Sequence, residues 1–264
     1  QKIYSIQFYS ELGSIHKIKE DYKKAEENYK KAYNLYESST YPRNINYYNI
    51  LKNLGESSIG LEKYNIAEEV FKKCLNFLSE NNINDSNELI DVNGTLAFIY
   101  RKLGDFVKSE NYYLKTIDLI KKSNNYSVED YAYYINGLAS LYHSFNNYEK
   151  AEKLYNEAKE IRLKIYGDSS AAYAQSLNNL AVLYHDLGKY NEAEKFYKAV
   201  LKIWEKEFGL NSMPYATALN NIAILYITMG RGDEAINLFF EALNIKKKIL
   251  GEESISYAIS LNNV

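Results

Sequence analysis

Apolar residues recur along this chain with the period of an α-helix. Leu177, Leu180, Ala181 and Tyr184 follow the i, i+3, i+4, i+7 spacing that places side chains on one face of a helix. Gly188 then interrupts the pattern, where the turn needs a left-handed backbone. A second apolar stripe follows, formed by Ala193, Tyr197, Val200, Leu201 and Trp204. The pattern predicts two consecutive helices, called A and B below, which are joined by a short turn.

Polar residues and glycines indicate where helix B begins and ends. Asn191 is the predicted N-cap, because Glu192 and Glu194 follow it in the first turn, where negative charge is favourable. Gly209 is the predicted end of the helix, as a glycine commonly follows the last helical turn.

The two-helix pattern repeats every 42 residues, as the equivalent residues Leu177, Leu219 and Leu261 show. Self-similarity at a fixed period is typical of a solenoid, in which neighbouring repeats bury each other's apolar faces. We number positions within a repeat so that Ala181 is position 8. Position 8 is small throughout: Gly13, Gly55, Ala97, Ala139, Ala181 and Ala223. The predicted single array over residues 1–264 consists of repeats at 6–47, 48–89, 90–131, 132–173, 174–215 and 216–257, with a partial seventh at 258–264.

The chain closes on YAISLNNV, which matches the first half of an A helix. Leu261 and Val264 are expected to lack a covering partner there. Because a solenoid normally ends in a capping helix with a polar outer face, we expect the sequence to be part of a longer protein.

The segment LNNLAVLYHDLGKYNEAEKFYKAVLKIWEKEFG, which begins at Leu177, resembles the tetratricopeptide repeat (TPR). The resemblance rests on Leu or Ile at position 7, Gly or Ala at 8, Tyr at 11, Gly at 15, Tyr at 17, Ala at 20, Tyr or Phe at 24 and Ala at 27. It covers essentially the whole chain and is closest to the long repeats of kinesin light chains and bacterial regulatory proteins. The resemblance implies an all-α, right-handed α-solenoid of six helix–turn–helix repeats plus the first helix of a seventh. Departures from the pattern occur at Ser58, Ser109, Thr116 and Gly232.

The resemblance also implies a concave groove that holds a protein or peptide segment and is lined by the A-helix face opposite the buried stripe. The predicted groove residues are Asn53, Arg101, Lys102, Tyr133, Asn136, His143, Gln175, Asn178, Asn179, His185, Asn220 and Asn221.

Asparagines recur at positions 5 and 6 of this face and have two interpretations. A carboxamide both donates and accepts hydrogen bonds, so a row of them can satisfy a peptide backbone of any sequence. Alternatively, the position-6 amides bridge neighbouring repeats. Position 5 carries Asn136, Asn178, Asn220 and Asn262, and position 6 carries Asn53, Asn179, Asn221 and Asn263.

His143 and His185 share position 12, which Arg101 occupies one repeat earlier, beside Lys102. Together they could form a modest basic stripe for an acidic side chain of a ligand, or they could be solvated polar residues on an open face. Two histidines without a third ligand do not form a metal site, so no metal and no cofactor are expected.

Composition narrows the possible functions. The net charge of −2 gives no positive field to attract nucleic acid or acidic lipid. The single cysteine, Cys74, fits a reducing compartment, and no apolar run reaches the roughly 18 residues that a membrane span needs. We therefore expect a cytoplasmic protein that binds neither nucleic acid nor membrane, whose oligomeric state the sequence leaves open.

A scaffold module that binds a protein or peptide segment is the leading hypothesis. The alternative is a peptide-sensing regulatory domain of a larger signalling protein. A nucleic-acid-binding repeat ranks lower because the predicted groove is mostly neutral. An enzyme ranks lowest because no pattern isolates a reaction centre.

Overall fold

Twelve α-helices account for most of the residues that the computed structural model describes, namely 2–83, 87–123, 127–252, 254, 257–258 and 261. No strand occurs within these ranges. The helices are α1 (Lys2–Ile18), α2 (Tyr22–Glu37), α3 (Ile45–Gly60), α4 (Tyr64–Glu80), α5 (Asn87–Lys102), α6 (Phe106–Lys122), α7 (Val128–Ser144), α8 (Tyr148–Tyr166), α9 (Ala171–Asp186), α10 (Tyr190–Phe208), α11 (Met213–Thr228) and α12 (Gly232–Leu250). Odd-numbered helices are the predicted A helices and even-numbered helices the predicted B helices.

The chain divides into two compact bodies, residues 1–126 and 127–264, which are called the N-terminal body and the C-terminal body. Within each body, every A helix packs on the B helix that follows it, and every B helix packs on the next A helix. This consecutive pairing confirms the predicted all-α repeat fold.

Small residues at position 8 allow each A helix to approach its B helix closely. A methyl group added at Gly55 would lie only 2.5 Å from the ring of Phe71, closer than real contacts allow. In the C-terminal body, Ala181 is fully buried in one core cluster with Tyr197. A small residue on helix A thus faces an aromatic residue on helix B, and close packing holds the two helices together.

The turn between A and B always contains a left-handed residue at position 15. Gly188 has the predicted positive φ of 72°. In three other repeats the residue at this position is not glycine. Glu20, Glu62 and Asn146 adopt the same conformation there, with φ of 58°, 57° and 60°. The turn is thus enforced by packing of the two helices even where the residue itself does not favour it.

The predicted start of helix B at Asn191 is wrong by two residues. Helix α10 begins at Tyr190, and Lys189 occupies the N-cap without a side-chain cap. The left-handed residue at Gly188 reverses the chain so tightly that the helix begins two residues later, whichever side chain is present. Three other repeats place a capping residue at this earlier position: Asp21, Asp105 and Asn147.

Three of the departures from the repeat pattern are compensated by hydrogen bonds. The buried hydroxyl of Ser58 donates to the carbonyl of Leu54 at 3.0 Å. The buried hydroxyl of Ser109 donates to the carbonyl of Ala97 at 2.7 Å, and Thr116 donates to the carbonyl of Tyr112 at 2.8 Å. Gly232 leaves open space instead, because no atom lies within 4 Å of where its Cβ would be.

The partial seventh repeat is described at only a few residues. Tyr257, Ala258 and Leu261 are helical, and Leu261 is 52% exposed. Asn262, Asn263 and the remainder of the predicted seventh helix lie outside the described residues.

Candidate functional site

Two equivalent amide pairs lie on the A-helix face of the C-terminal body. Asn179 donates from Nδ2 to Oδ1 of Asn136 at 2.8 Å, which joins α9 to α7. One repeat later, Asn221 donates from Nδ2 to Oδ1 of Asn178 at 3.1 Å, which joins α11 to α9. In both pairs, a position-6 amide donates to the position-5 amide of the preceding repeat.

These pairs leave part of their hydrogen-bonding capacity available. The amide nitrogens of Asn136 and Asn178 have no partner among the described residues. Gln175 donates to Oδ1 of Asn179 at 3.2 Å, so Asn179 is held from both sides. All of these amides are half-buried or exposed, and the pairs therefore present fixed N–H donors to the surface.

The bridge between repeats, which the sequence left as one of two interpretations of position 6, is thus present at Asn179 and Asn221. Asn53 in the N-terminal body bridges differently. Its Oδ1 accepts a hydrogen bond from Lys17 at 2.8 Å, and its Nδ2 donates to the carbonyl of Asn49 at 2.9 Å. Bridging and ligand binding are compatible for a carboxamide, because one amide carries two N–H donors.

The two histidines of position 12 also contact the next repeat. His143 Nε2 lies 2.8 Å from Oδ2 of Asp186, and His185 Nε2 lies 3.1 Å from Oγ1 of Thr228. His185 Nδ1 lies 3.5 Å from the other oxygen of Asp186. A carboxylate therefore sits between the two histidines and offsets their positive charge when they are protonated.

The remaining predicted groove residues differ in exposure. Tyr133 is 65% exposed and packs edge-on against Tyr134. Asn220 is half-buried. In the N-terminal body, Arg101 and Lys102 both lie over the ring of Phe98, at 5.4 Å and 5.7 Å from its centre.

Of the first two repeats, sequence reasoning selected only Asn53 for the groove and overlooked their other surface groups. Gln7, Ser10 and Glu11 of α1 and Asn46 and Asn49 of α3 line a cavity on the A-helix face of the N-terminal body. Gln7 and Asn49 occupy position 2, Ser10 position 5 and Glu11 position 6, so the repeat numbering alone could have found them.

The described residues contain neither a cluster of metal-ligating side chains nor a membrane-spanning helix. Within them, no group of three or more His, Cys, Asp or Glu side chains could hold a metal ion. None of the described helices is both long and apolar enough to cross a membrane. Cys74 is fully buried, and burial raises the pKa of its thiol to about 12, so this residue packs in the core and is not a reactive thiol.

Consecutive helical hairpins with a small residue facing an aromatic one define this chain as an all-α helical repeat protein. The family model of the tetratricopeptide repeat matches residues 4–80, 88–164, 132–206 and 172–248. The chain therefore belongs to the tetratricopeptide repeat family. Sequence comparison with curated proteins gives no significant match.

Several solved structures share the fold. BtubC (BKLC) from P. vanneervenii is 20% identical, with a TM-score of 0.66 over 96% of this chain and 94% of that one. A second structure contains nearly identical TPR-like repeats and is described as a kinesin light chain from Podosopora anserina. It is 17% identical, with a TM-score of 0.62 over 75% of this chain and 93% of that one. These matches agree with the predicted resemblance to kinesin-light-chain repeats.

The quorum sensor NprR is a third structure with this fold. Its apo form from B. thuringiensis is 16% identical, with a TM-score of 0.75 over 99% of this chain and 68% of that one. NprR in complex with its cognate peptide NprX is also 16% identical, with a TM-score of 0.69 over 98% and 70%. At these identities the similarity is one of fold.

Proposed function

We propose that the A-helix face of the C-terminal body binds an extended or helical segment of a partner protein, and that the chain acts as a non-catalytic binding scaffold. The observation that carries this proposal is the pair of equivalent amide bridges, Asn136 with Asn179 and Asn178 with Asn221. Each bridge holds a position-5 amide whose N–H groups can donate to peptide carbonyls. Because the two bridges are related by one repeat, a regular peptide backbone can meet both.

Exposed apolar side chains beside the amides support binding of a protein segment. Tyr133, Ile224 and Ile227 of the same face are 65%, 41% and 53% exposed. Burying apolar area on binding contributes roughly 25 cal/mol per Å², whereas polar groups mainly fix orientation. A segment with small or apolar side chains between its carbonyls suits this mixture.

Recognition of an acidic ligand by the two histidines is a weaker proposal, because a carboxylate lies beside both of them. His143 and His185 both lie within ion-pair distance of Asp186. Protonation of one histidine is offset by this carboxylate, so we expect a net positive site only when both histidines are protonated. We further propose that the protein acts in the cytoplasm, where the thiol of Cys74 stays reduced.

A peptide-sensing regulatory domain is the second candidate. It is supported by the shared fold with NprR, a quorum sensor whose structure with its cognate peptide is known. A sensor must change conformation on binding, whereas a scaffold need not. Small-angle scattering with and without a bound peptide separates the two, because an unchanged profile supports the scaffold and a shift supports the sensor.

The binding proposal is tested with a random peptide library panned against the full chain, followed by calorimetric titration of resynthesised binders. The variant Asn136→Ala with Asn178→Ala removes both position-5 donors. We expect a loss of roughly 1–3 kcal/mol of binding free energy, which corresponds to about a five- to 150-fold rise in Kd.

A matched control variant is Asn237→Ala with Asn244→Ala, which removes two exposed amides of the B helix α12. It should bind selected peptides like the unmodified chain, and both variants should keep the same helical circular dichroism. Equal binding by both double variants, or a library that yields no binders, would refute the proposed function.

A further inference from the structure

A cavity of about 580 Å³ opens between α1 and α3 in the N-terminal body, and we call it the α1–α3 cavity. Its apolar lining includes the buried side chains of Ile6, Ile50 and Tyr36 and the exposed side chain of Ile3. The connection between α2 and α3 closes one side, where the Tyr36 hydroxyl donates to the carbonyl of Pro42 at 3.0 Å. The cavity is large enough for one long side chain together with part of its backbone.

Polar groups with unused hydrogen-bonding capacity face this apolar wall. The side chains of Ser10, Asn46 and Asn49 have no hydrogen-bond partner in the part of the chain that the structure describes. Gln7 donates to Oε1 of Glu11 at 2.9 Å. That bond is the one hydrogen bond or ion pair that the Glu11 carboxylate forms with a described residue, so its second oxygen can accept from a ligand.

Glu11 is also the sole charged residue among those that line the cavity. Lys17 lies on the same face of α1, but its ammonium group is already bound to Oδ1 of Asn53 at 2.8 Å and to the carboxylate of Glu56. Within the described residues, the negative charge of Glu11 therefore has no cationic partner. A ligand carboxylate would be repelled here, whereas a ligand cation would be attracted.

An arginine side chain fits this combination of groups. Its guanidinium carries five N–H donors in a planar fork, which suits a carboxylate beside amide and hydroxyl oxygens. Its aliphatic stem can pack on an apolar wall while the charged end stays in the polar part. A lysine offers the same charge but no planar fork, so it would use fewer of these acceptors.

We propose that the α1–α3 cavity binds an arginine side chain of a peptide segment, with Glu11 as the group that recognises its charge. The inference rests on the proposed function in one respect, because it takes the ligand to be a peptide. It concerns a separate site in the N-terminal body, with its own charge preference.

The test uses the intact chain with two blocked tripeptides, acetyl-Ala-Arg-Ala-amide and its citrulline counterpart, which has the same shape but no charge. Methyl groups of Ile6 and Ile50 report occupancy of the cavity by NMR, and those of Ile224 and Ile227 report the face of the C-terminal body. We expect the arginine peptide to shift the Ile6 and Ile50 signals with about tenfold higher affinity than the citrulline peptide, since a charge-assisted hydrogen bond is lost.

Glu11→Gln removes the charge and keeps the shape of the side chain. It should lower the affinity for the arginine peptide about tenfold, to that of the citrulline peptide. Glu69→Gln is the matched control, because Glu69 is an exposed carboxylate on α4 that does not line the cavity. It should leave both affinities unchanged.

Equal affinity for the two peptides, an equal effect of the two glutamate variants, or no shift at Ile6 and Ile50 would overturn this inference. Failure of the proposed function is recognised separately. If binding of library-derived peptides still requires Asn136 and Asn178 but the arginine peptide does not shift the Ile6 and Ile50 methyl signals, the cavity assignment alone is wrong. If the arginine peptide shifts the Ile6 and Ile50 signals but the variant Asn136→Ala with Asn178→Ala binds library-derived peptides normally, the proposed function alone is wrong.

Discussion

The same residue type serves different purposes in this chain, depending on its position within the repeat. Asn136 and Asn178 at position 5 lie at the surface, where an unused N–H can bind water or a ligand. Asn93 at position 4 is fully buried. Its Nδ2 donates to the carbonyl of Leu89 at 2.7 Å, but its Oδ1 has no partner. A buried acceptor without a hydrogen bond is destabilising, because it has lost its contact with water.

Replacing Asn93 with leucine should therefore stabilise the protein. Position 4 holds leucine in three other repeats, at Leu51, Leu177 and Leu219, so the site accommodates that shape. We expect Asn93→Leu to raise the free energy of unfolding by roughly 1–3 kcal/mol. Urea denaturation followed by circular dichroism measures the change.

The exposed residue Asn76 on α4 provides a comparison. Asn76→Leu should change the free energy of unfolding by only about 0.5 kcal/mol in either direction, as is usual for surface substitutions. A loss of stability in Asn93→Leu would mean that the Leu89 hydrogen bond outweighs the unpaired oxygen.

At the scale of helices, a tyrosine–glutamate hydrogen bond joins successive repeats. The hydroxyl at position 11 of an A helix donates to the glutamate at position 21 of the preceding B helix. The pairs are Tyr100 with Glu68 at 2.7 Å, Tyr184 with Glu152 at 2.7 Å, and Tyr226 with Glu194 at 2.9 Å. The tyrosines therefore contribute both ring packing and a directional contact between repeats, of which the sequence predicted only the packing.

Glu194 on α10 has the most partners of these carboxylates. Lys198 lies 2.8 Å away on the same helix, Arg231 donates at 3.0 Å from the turn before α12, and Tyr226 donates from α11. The hydrogen bond from Lys198, followed by those from Arg231 and Tyr226, lowers the pKa of Glu194 to about 2. The ionised carboxylate thus links three helices of the C-terminal body.

This low pKa predicts how stability depends on pH. Because the folded-state pKa lies below the unfolded value of about 4.3, Glu194 stabilises the fold above that pH and loses its contribution as the pH falls toward 2. We expect Glu194→Gln to lower the free energy of unfolding by roughly 1–3 kcal/mol at neutral pH. The difference from the unmodified chain should shrink as the pH falls through this range, which urea denaturation at several pH values would show.

Glu241→Gln on α12 is the control, because Glu241 is exposed, lies in the middle of its helix and forms no ion pair with a described residue. Its stability profile should follow that of the unmodified chain. A difference between Glu194→Gln and the unmodified chain that stays constant down to pH 2 would contradict the assignment.

At the scale of the whole molecule, the balance of charge sets which partners are attracted. Lysines and arginines number 32 and aspartates and glutamates 34, so the net charge is −2. Ion pairs also occupy the A-helix face of the N-terminal body, where Lys17 pairs with Glu56 and Lys52 with Asp91. Neither of these two lysines is therefore free to neutralise a phosphate backbone.

We therefore expect no binding to nucleic acid at physiological salt. Binding of that kind depends on releasing counterions from phosphates, and it weakens steeply as salt rises. A gel-shift assay of the intact chain with a generic DNA duplex and with single-stranded RNA should show no retarded band. Retarded bands that disappear as salt is raised would reinstate the nucleic-acid-binding hypothesis.

The sequence predicted most of the repeat but little of the geometry of its surface. The left-handed turn at Gly188 and the close approach at Gly55 both follow from a local pattern. The start of α10 was misplaced because helix packing, and not capping chemistry, fixes it. The partners of Asn179 and Asp186 lie 43 residues away in sequence, and no local pattern indicates which of several nearby amides or histidines each one meets.

The sequence by itself determined that this chain is a series of helical hairpins, because a period of 42 residues and an apolar stripe on every helix leave each hairpin dependent on its neighbours for burial. Only the tertiary structure decided that Asn136 pairs with Asn179, that Asp186 lies against His143, and that Glu11 lies in a cavity without a cation. The physical reason is that burial of apolar stripes depends on the repeat period alone. Hydrogen bonds and ion pairs depend instead on distances of about 3 Å between side chains of different helices, which packing of those helices sets.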